Sequence, residues 1–221
     1  GDALDALVIL QTGIFTDPAF LPEYDETLLR REMELFREWY LGRHLGLRLT
    51  DTQNAILDKS FTALAGNALA QPRVWVHRDY HSRNLMLTSA NNPGILDFQD
   101  AVRGPATYDL VSLLRDCYIA WPRARVETWA MRHFDQARVA GLLPVEADPA
   151  LFLRWFDLMG VQRHLKAAGI FARLLHRDGK PGFLADIPRT LGYVIEVSGR
   201  HPDLQGLHEF LSGLSVPELN A

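Results

Sequence analysis

The sequence predicts an α+β protein, predominantly α-helical, with a small β-hairpin region embedded between helices. Three observations carry this. Apolar residues recur at three- and four-residue spacing through most of the 221 residues. Only the stretch from Val74 to Leu96 has the texture of short strands joined by turn residues. No internal repeat, low-complexity tract or linker divides the chain, so one domain over residues 1–221 is expected.

Leu4, Leu7, Val8 and Gln11 share one helical face, and Gly13 is a plausible stop. The loop from Thr16-Asp17-Pro18 to Pro22 follows, with Asp25 placed to cap the next helix. Leu29, Met33, Phe36 and Tyr40 then recur at helical spacing until Gly46. Arg30, Arg31 and Arg37 among acidic neighbours read as a solvated, salt-bridged face. Thr50 and Gln53 form a capping-box pattern ahead of a helix carrying Leu57, Phe61, Leu64 and Ala68. Pro72 changes the texture. Val74-Trp75-Val76, Leu85-Met86-Leu87 and Ile95-Leu96 read as short strands, and Asn91-Asn92-Pro93-Gly94 is dense in the residues that close a hairpin. Helices resume near Ala106 with Leu110, Val111, Leu114, Tyr118 and Trp121 at helical spacing. Pro122 starts the next, which runs to about Gly141. A long helical region carries Phe152, Phe156, Met159, Leu165, Ala168, Ala172 and Leu175 as far as Gly179-Lys180-Pro181-Gly182. Two shorter helices, near 185–198 and 203–213, finish the chain.

Composition narrows the function. With 23 Lys and Arg against 27 Asp and Glu, the net charge of −4 excludes a strongly basic nucleic-acid footprint. No apolar run approaches the ~20 residues of a membrane helix, and no targeting segment opens the chain. The single cysteine, Cys117, excludes an internal disulfide and a Cys-rich zinc site, and reads as a buried residue. The expectation is a cytoplasmic protein with neither nucleic-acid nor membrane partners.

The chemistry lies in the hairpin region. His77-Arg78-Asp79-Tyr80-His81-Ser82-Arg83-Asn84 has the form H-R-D-x-x-x-x-N, and Asp97-Phe98-Gln99 is close to D-F-G. Phosphoryl transfer needs an oriented acceptor hydroxyl and a metal on the nucleotide phosphates. A carboxylate leaving a strand can accept the hydroxyl proton. An amide five residues later and a carboxylate on the neighbouring strand can reach one metal, and both offer the oxygen ligands that magnesium prefers.

These residues resemble the protein-kinase-like superfamily, in its small-molecule branch of aminoglycoside phosphotransferases and choline kinases. Tyr108-Asp109-Leu110 stands where that branch has Y-D-L. The chain is more similar still to the bacterial anomeric N-acetylmuramate/N-acetylglucosamine kinases of peptidoglycan recycling, through Leu28–Tyr40, Val76–Leu87, Ile95–Tyr118 and Gly160–Lys180. The resemblance implies the C-terminal lobe of a kinase fold, with catalytic loop 77–84 and metal-binding segment 95–100. It implies ATP and Mg2+ as cofactors, Asp79 as catalytic base, and Asn84 and Asp97 as magnesium ligands. His77 would be structural, packed under Phe98, and Asp109 an anchor at the start of the following helix. Asp100 would line the acceptor pocket. His81, Arg83, Arg115, Asp116, Gln162, Arg163 and His164 are further candidates for contact with an amino-sugar substrate, and an arginine would suit a muramate carboxylate.

Two departures are visible. Gln99 replaces the glycine of D-F-G and removes its conformational freedom, so a fixed magnesium loop is expected. No Gly-rich loop precedes the helices, and the only lysines are Lys59, Lys166 and Lys180. The N-terminal ATP-binding lobe of such kinases is therefore expected to be absent from this chain, which would need that lobe for full ATP binding. The residues leave open an aminoglycoside- or choline-type kinase, or a non-catalytic sugar- or partner-binding lobe.

Overall fold

The computed structural model describes residues 1–13 and 21–214. The expected loop at Thr16-Asp17-Pro18 lies outside the described residues. Two compact units emerge, each built from separated segments: residues 1–25 with 68–159, and residues 26–67 with 160–221.

The first unit holds every strand of the described residues. Helix α1 (Asp2–Thr12) buries Leu4, Leu7 and Gln11, the face expected from the sequence. Strand β1 (Arg73–Val76) pairs antiparallel with β4 (Val102–Pro105), Val76 opposite Val102. Between them, β2 (Leu85–Met86) and β3 (Gly94–Ile95) form the expected hairpin, with Leu85 opposite Ile95. Strand β4 was not among the strands expected from the sequence, and Gly104-Pro105 is a dipeptide typical of turns. Two features make it a strand. Gly104 lies so close to Tyr24 that a Cβ there would sit 2.9 Å from the tyrosine's own Cβ. The chain at Pro22–Tyr24 also bonds to its other edge, Tyr24 N donating to Arg103 O and Arg103 N to Pro22 O, both at 2.9 Å.

Helix α4 spans only Tyr108–Leu114. The apolar spacing expected to carry it to Trp121 is broken after Leu114, where Asp116 turns its carboxylate onto backbone amides instead. Cys117 is buried, in the bend that follows the helix. Helix α5 (Arg123–Val139) begins just after Pro122, as expected, and Gly141 with φ +72° ends the segment in the left-handed region that favours glycine. The first residues of α6 (Pro149–Asp178) complete this unit, contributing buried Phe152 and Phe156.

The second unit is helical. Helix α2 (Glu26–Leu35) continues as a π-helix over Phe36–His44, and Gly46, at φ +66°, ends the run. The salt-bridged face is present, with Arg30 on Glu26 at 2.8 Å and Arg37 on Glu34 at 3.2 Å. Helix α3 (Asp51–Leu69) starts with the expected capping box: Gln53 N donates to Thr50 Oγ1 at 3.2 Å, and Thr50 N to Gln53 Oε1 at 2.9 Å. The rest of α6 packs on α2 through Gly169, whose missing side chain leaves room for the Leu35–Phe36 backbone. Helices α7 (Ile187–Ser198) and α8 (Gln205–Ser212) close the unit. Among the described residues no helix is long and apolar enough to cross a membrane.

Candidate active site

The segment between β1 and β2 is a short loop fixed at both ends by buried carboxylates. At its start, Asp109 on the first turn of α4 accepts from His77 N at 2.6 Å and from Arg78 N at 3.0 Å. Asp109 is fully buried, and Arg78 adopts φ +74°, a conformation that a non-glycine residue holds only when its surroundings impose it. The Arg78 guanidinium donates to Asp100 O at 3.3 Å. At the loop's far end, Asp116 accepts from Ser82 N at 2.9 Å and from Tyr118 N at 2.8 Å.

Between these anchors the loop folds onto itself. Asp79 O accepts from His81 N at 3.0 Å and from the Asn84 side-chain amide at 3.0 Å. Asn84 lies at the end of a 3-10 turn (Ser82–Asn84), and its own carbonyl accepts from Leu96 N at 3.0 Å. That last bond extends the β2–β3 ladder by one step and places Asp97, the next residue, beside the loop. Asp79, Asn84 and Asp97 are thus brought into one neighbourhood by backbone hydrogen bonding. Among the described residues no donor is hydrogen-bonded to the Asp79 carboxylate, which remains half-buried.

Asp97 carries the positive φ of this region, +68°, and Gln99 donates through Nε2 to Asp97 Oδ1 at 2.7 Å. Gln99 thus bonds to the carboxylate two residues before it. The donor set fits magnesium. Asn84 has committed its amide N–H to Asp79 O, which leaves its oxygen as an acceptor, and Asp97 keeps its second carboxylate oxygen. Among the described residues no group of three His, Cys, Asp or Glu side chains forms a metal site, and magnesium shared with nucleotide phosphates and water needs only one or two protein ligands.

His77 is buried but does not lie under Phe98, which is largely exposed at 72%. It packs edge-on against Tyr80, ring centroids 6.0 Å apart, and its Nδ1 accepts from Asp79 N at 3.3 Å. The hairpin ladder ends before Phe98, which leaves that side chain on the surface beside exposed Leu96. Burial lowers the His77 pKa, against opposing pulls from Asp79, the Leu96 carbonyl and Asp97. Tyr80 donates to Ala3 O at 2.8 Å, and burial together with Asp109 raises its pKa.

The remaining candidates divide. His81 and Arg83 both meet Tyr118: the His81 ring edge-on at 5.3 Å, and the Arg83 guanidinium 3.5 Å above the ring. Asp100 is exposed at the edge of the site. Arg115 is 4% exposed, bonded to Asp157 at 2.5 Å and lying over the Phe156 ring, so it serves a buried ion pair. Asp116 is a backbone clamp. Gln162, Arg163 and His164 belong to the second unit, where Gln162 donates to Glu32 at 3.2 Å, Lys166 pairs with Glu32 at 3.0 Å and His164 stacks on Tyr193. Tyr118 was not singled out from the sequence as a site residue. Its helical spacing pointed to a core face, and only the chain reversal at Asp116 turns it toward the loop.

A model of the phosphotransferase enzyme family matches residues 2–142. The N-acetylmuramate/N-acetylglucosamine kinase of Pseudomonas putida is 54% identical over 215 residues, covering 97% of this chain and 62% of that protein. The proteins of the same name from Pseudomonas aeruginosa and Neisseria meningitidis are 50% and 48% identical, over 96% and 95% of this chain. This chain spans 62% of the length of each of these curated relatives. Among solved structures, the ADP-bound aminoglycoside phosphotransferase APH(2'')-Ib aligns with a TM-score of 0.52 at 16% identity, over 88% of this chain and 63% of that one, a likeness of fold. A family match over residues 2–142, which takes in the 77–84 loop and both carboxylates that anchor it, leads to one assignment: the chain belongs to the phosphotransferase enzyme family.

Proposed function

We propose that this chain carries the catalytic lobe of a cytoplasmic, ATP-dependent amino-sugar kinase that phosphorylates the anomeric hydroxyl of N-acetylmuramate and N-acetylglucosamine. The observation that carries this reading is the convergence of Asp79, Asn84 and Asp97, held by the Asn84–Asp79 and Leu96–Asn84 hydrogen bonds. The identity of about half to the kinases of that name supports the choice of acceptor.

In this reading Asp79 orients the C1 hydroxyl and takes its proton. The C1 oxygen forms a bond to the γ-phosphorus as the bond from that phosphorus to the β,γ-bridging oxygen breaks, giving a sugar 1-phosphate and ADP. Asn84 and Asp97 would hold Mg2+, which when bound neutralises charge on the nucleotide phosphates. The two carboxylate anchors keep the loop in place, so that little reorganisation accompanies transfer. Lys59 lies on α3, Lys166 pairs with Glu32 and Lys180 follows α6, so none stands on a strand to meet the phosphates. Full ATP binding therefore draws on an N-terminal lobe in addition to these residues.

The test is ADP release by the full-length protein with Mg-ATP and four acceptors: N-acetylmuramate, N-acetylglucosamine, kanamycin and choline. Turnover confined to the two acetylated sugars supports the proposal. Turnover with kanamycin or choline instead moves the assignment to another acceptor class, and no turnover leaves a sugar- or partner-binding role.

A further inference from the structure

Within the loop of residues 77–84, Arg78 donates to Asp100 O and Arg83 meets no carboxylate or carbonyl among the described residues; Arg125 and Arg138 of the first unit also rest on aromatic rings, but on α5. Arg73 and Arg103 meet Glu23, Arg115 meets Asp157, Arg123 meets Glu127 and Arg132 meets Asp5. Arg83 is exposed, and among the described residues its guanidinium rests only on the Tyr118 ring, 3.5 Å from the centroid. A ring contact of this kind uses the face of the guanidinium and none of its five N–H donors.

The platform under Arg83 is itself fixed. Asp116 is 1% exposed, and its two carboxylate oxygens hold Tyr118 N and Ser82 N. Ser82 immediately precedes Arg83, so one buried carboxylate ties the ring to the arginine's own loop. His81 packs against the same ring. A cation held this way loses less side-chain freedom on meeting a ligand than one projecting freely into solvent.

Resting on the functional reading above, we propose that Arg83, seated on Tyr118, is the specificity-determining residue that reads the lactyl carboxylate of the acceptor sugar. N-Acetylmuramate carries that carboxylate and N-acetylglucosamine does not. The carboxylate is borne on a different ring carbon from the reacting hydroxyl, so its reader must flank the base. Arg83 does so, four residues beyond Asp79 in a loop closed by the Asn84–Asp79 bond. Its planar fork matches a carboxylate bidentately. Arg78, the other arginine of the loop, donates to Asp100 O, and Arg115 is committed to Asp157. Tyr118 acts through Arg83 as a positioning residue.

The experiment measures kcat/KM of the full-length protein for N-acetylmuramate, for its lactyl amide and for N-acetylglucosamine, with Mg-ATP varied. Arg83→Ala is expected to lower the N-acetylmuramate value about 10- to 100-fold relative to N-acetylglucosamine, the range for losing a hydrogen bond to a charged group. It is also expected to abolish the wild-type preference for the acid over the amide. Tyr118→Leu should reproduce part of that loss through KM for N-acetylmuramate. Circular dichroism serves as the folding control, and if Arg83→Ala fails to fold, Arg83→Gln carries the same comparison. An unchanged ratio between the two sugars overturns the proposal. So does an equal fall for both sugars with a raised KM for ATP, which assigns Arg83 to the nucleotide phosphates. A wild-type protein that turns over neither sugar overturns the functional reading itself, and this assignment with it.

Discussion

Asp109 holds Arg78 in the left-handed backbone conformation that opens the loop of residues 77–84. Its Oδ1 accepts from Arg78 N at 3.0 Å and its Oδ2 from His77 N at 2.6 Å, so a single carboxylate fixes two successive peptide units. Asparagine there keeps one acceptor and turns a donor toward the other amide. Asp109→Asn is expected to cost about 1–3 kcal/mol in urea unfolding, the penalty of one buried donor left unmade, and to lower kcat. Unchanged stability with unchanged kcat would remove Asp109 from its anchoring role.

The histidines set a pH dependence. Burial pushes His133 down to about 4, whereas an unfolded histidine titrates near 6.5. Between those values the unfolded chain binds the extra proton, so stability is full above about 6.5 and falls as pH drops toward 4. Burial of His77 acts in the same direction. His133→Phe, facing Phe152, is expected to lose about 2 kcal/mol less than wild type between pH 7 and pH 5. Parallel pH profiles for the two proteins would contradict this.

Gly169 tests the packing of the second unit. A Cβ there would stand 2.5 Å from Phe36 N, and that neighbour is backbone with no flexible end to move. Gly169→Ala is expected to destabilise by roughly 1–3 kcal/mol despite alanine's better helix propensity, read from the thermal midpoint. A raised midpoint would mean that α2 and α6 sit farther apart.

Much of this architecture is legible in the sequence, because its signals are local. The Thr50–Gln53 capping box, the hairpin turn at Asn91–Gly94 and the left-handed Gly46 each act within a few residues. Strand β4 is not legible, since Gly104 and Pro105 mimic a turn and the strand exists only through pairing with Val74 and contact with Tyr24. The early end of α4 is hidden for a related reason. Asp116 breaks an apolar helical pattern to serve Ser82, 34 residues away. The H-R-D-x-x-x-x-N and Asp97 pattern identifies the residues that gather, but spacing alone separates neither Asp116 and Arg115 from substrate contacts nor Tyr118 from core residues. The placement of His77 under Phe98 fails because the exposure of Phe98 depends on where the β2–β3 ladder stops.

The Gln99–Asp97 contact bears on metal use. Gln99 Nε2 occupies one Asp97 oxygen at 2.7 Å. Gln99→Gly is expected to raise the magnesium concentration needed for half-maximal turnover severalfold, since it releases the carboxylate and restores backbone freedom. An unchanged magnesium dependence would show that the contact does not orient the ligand.

Whether Asp79 is the base of a sugar kinase is decided by phosphorus NMR. The full-length protein would be followed with Mg-ATP and N-acetylglucosamine beside its Asp79→Asn variant, whose fold is checked by circular dichroism. In the wild type ATP is expected to give way to ADP and a sugar 1-phosphate, with the rate falling about 10²- to 10⁴-fold in a folded variant. A variant that forms sugar 1-phosphate at the wild-type rate would contradict it.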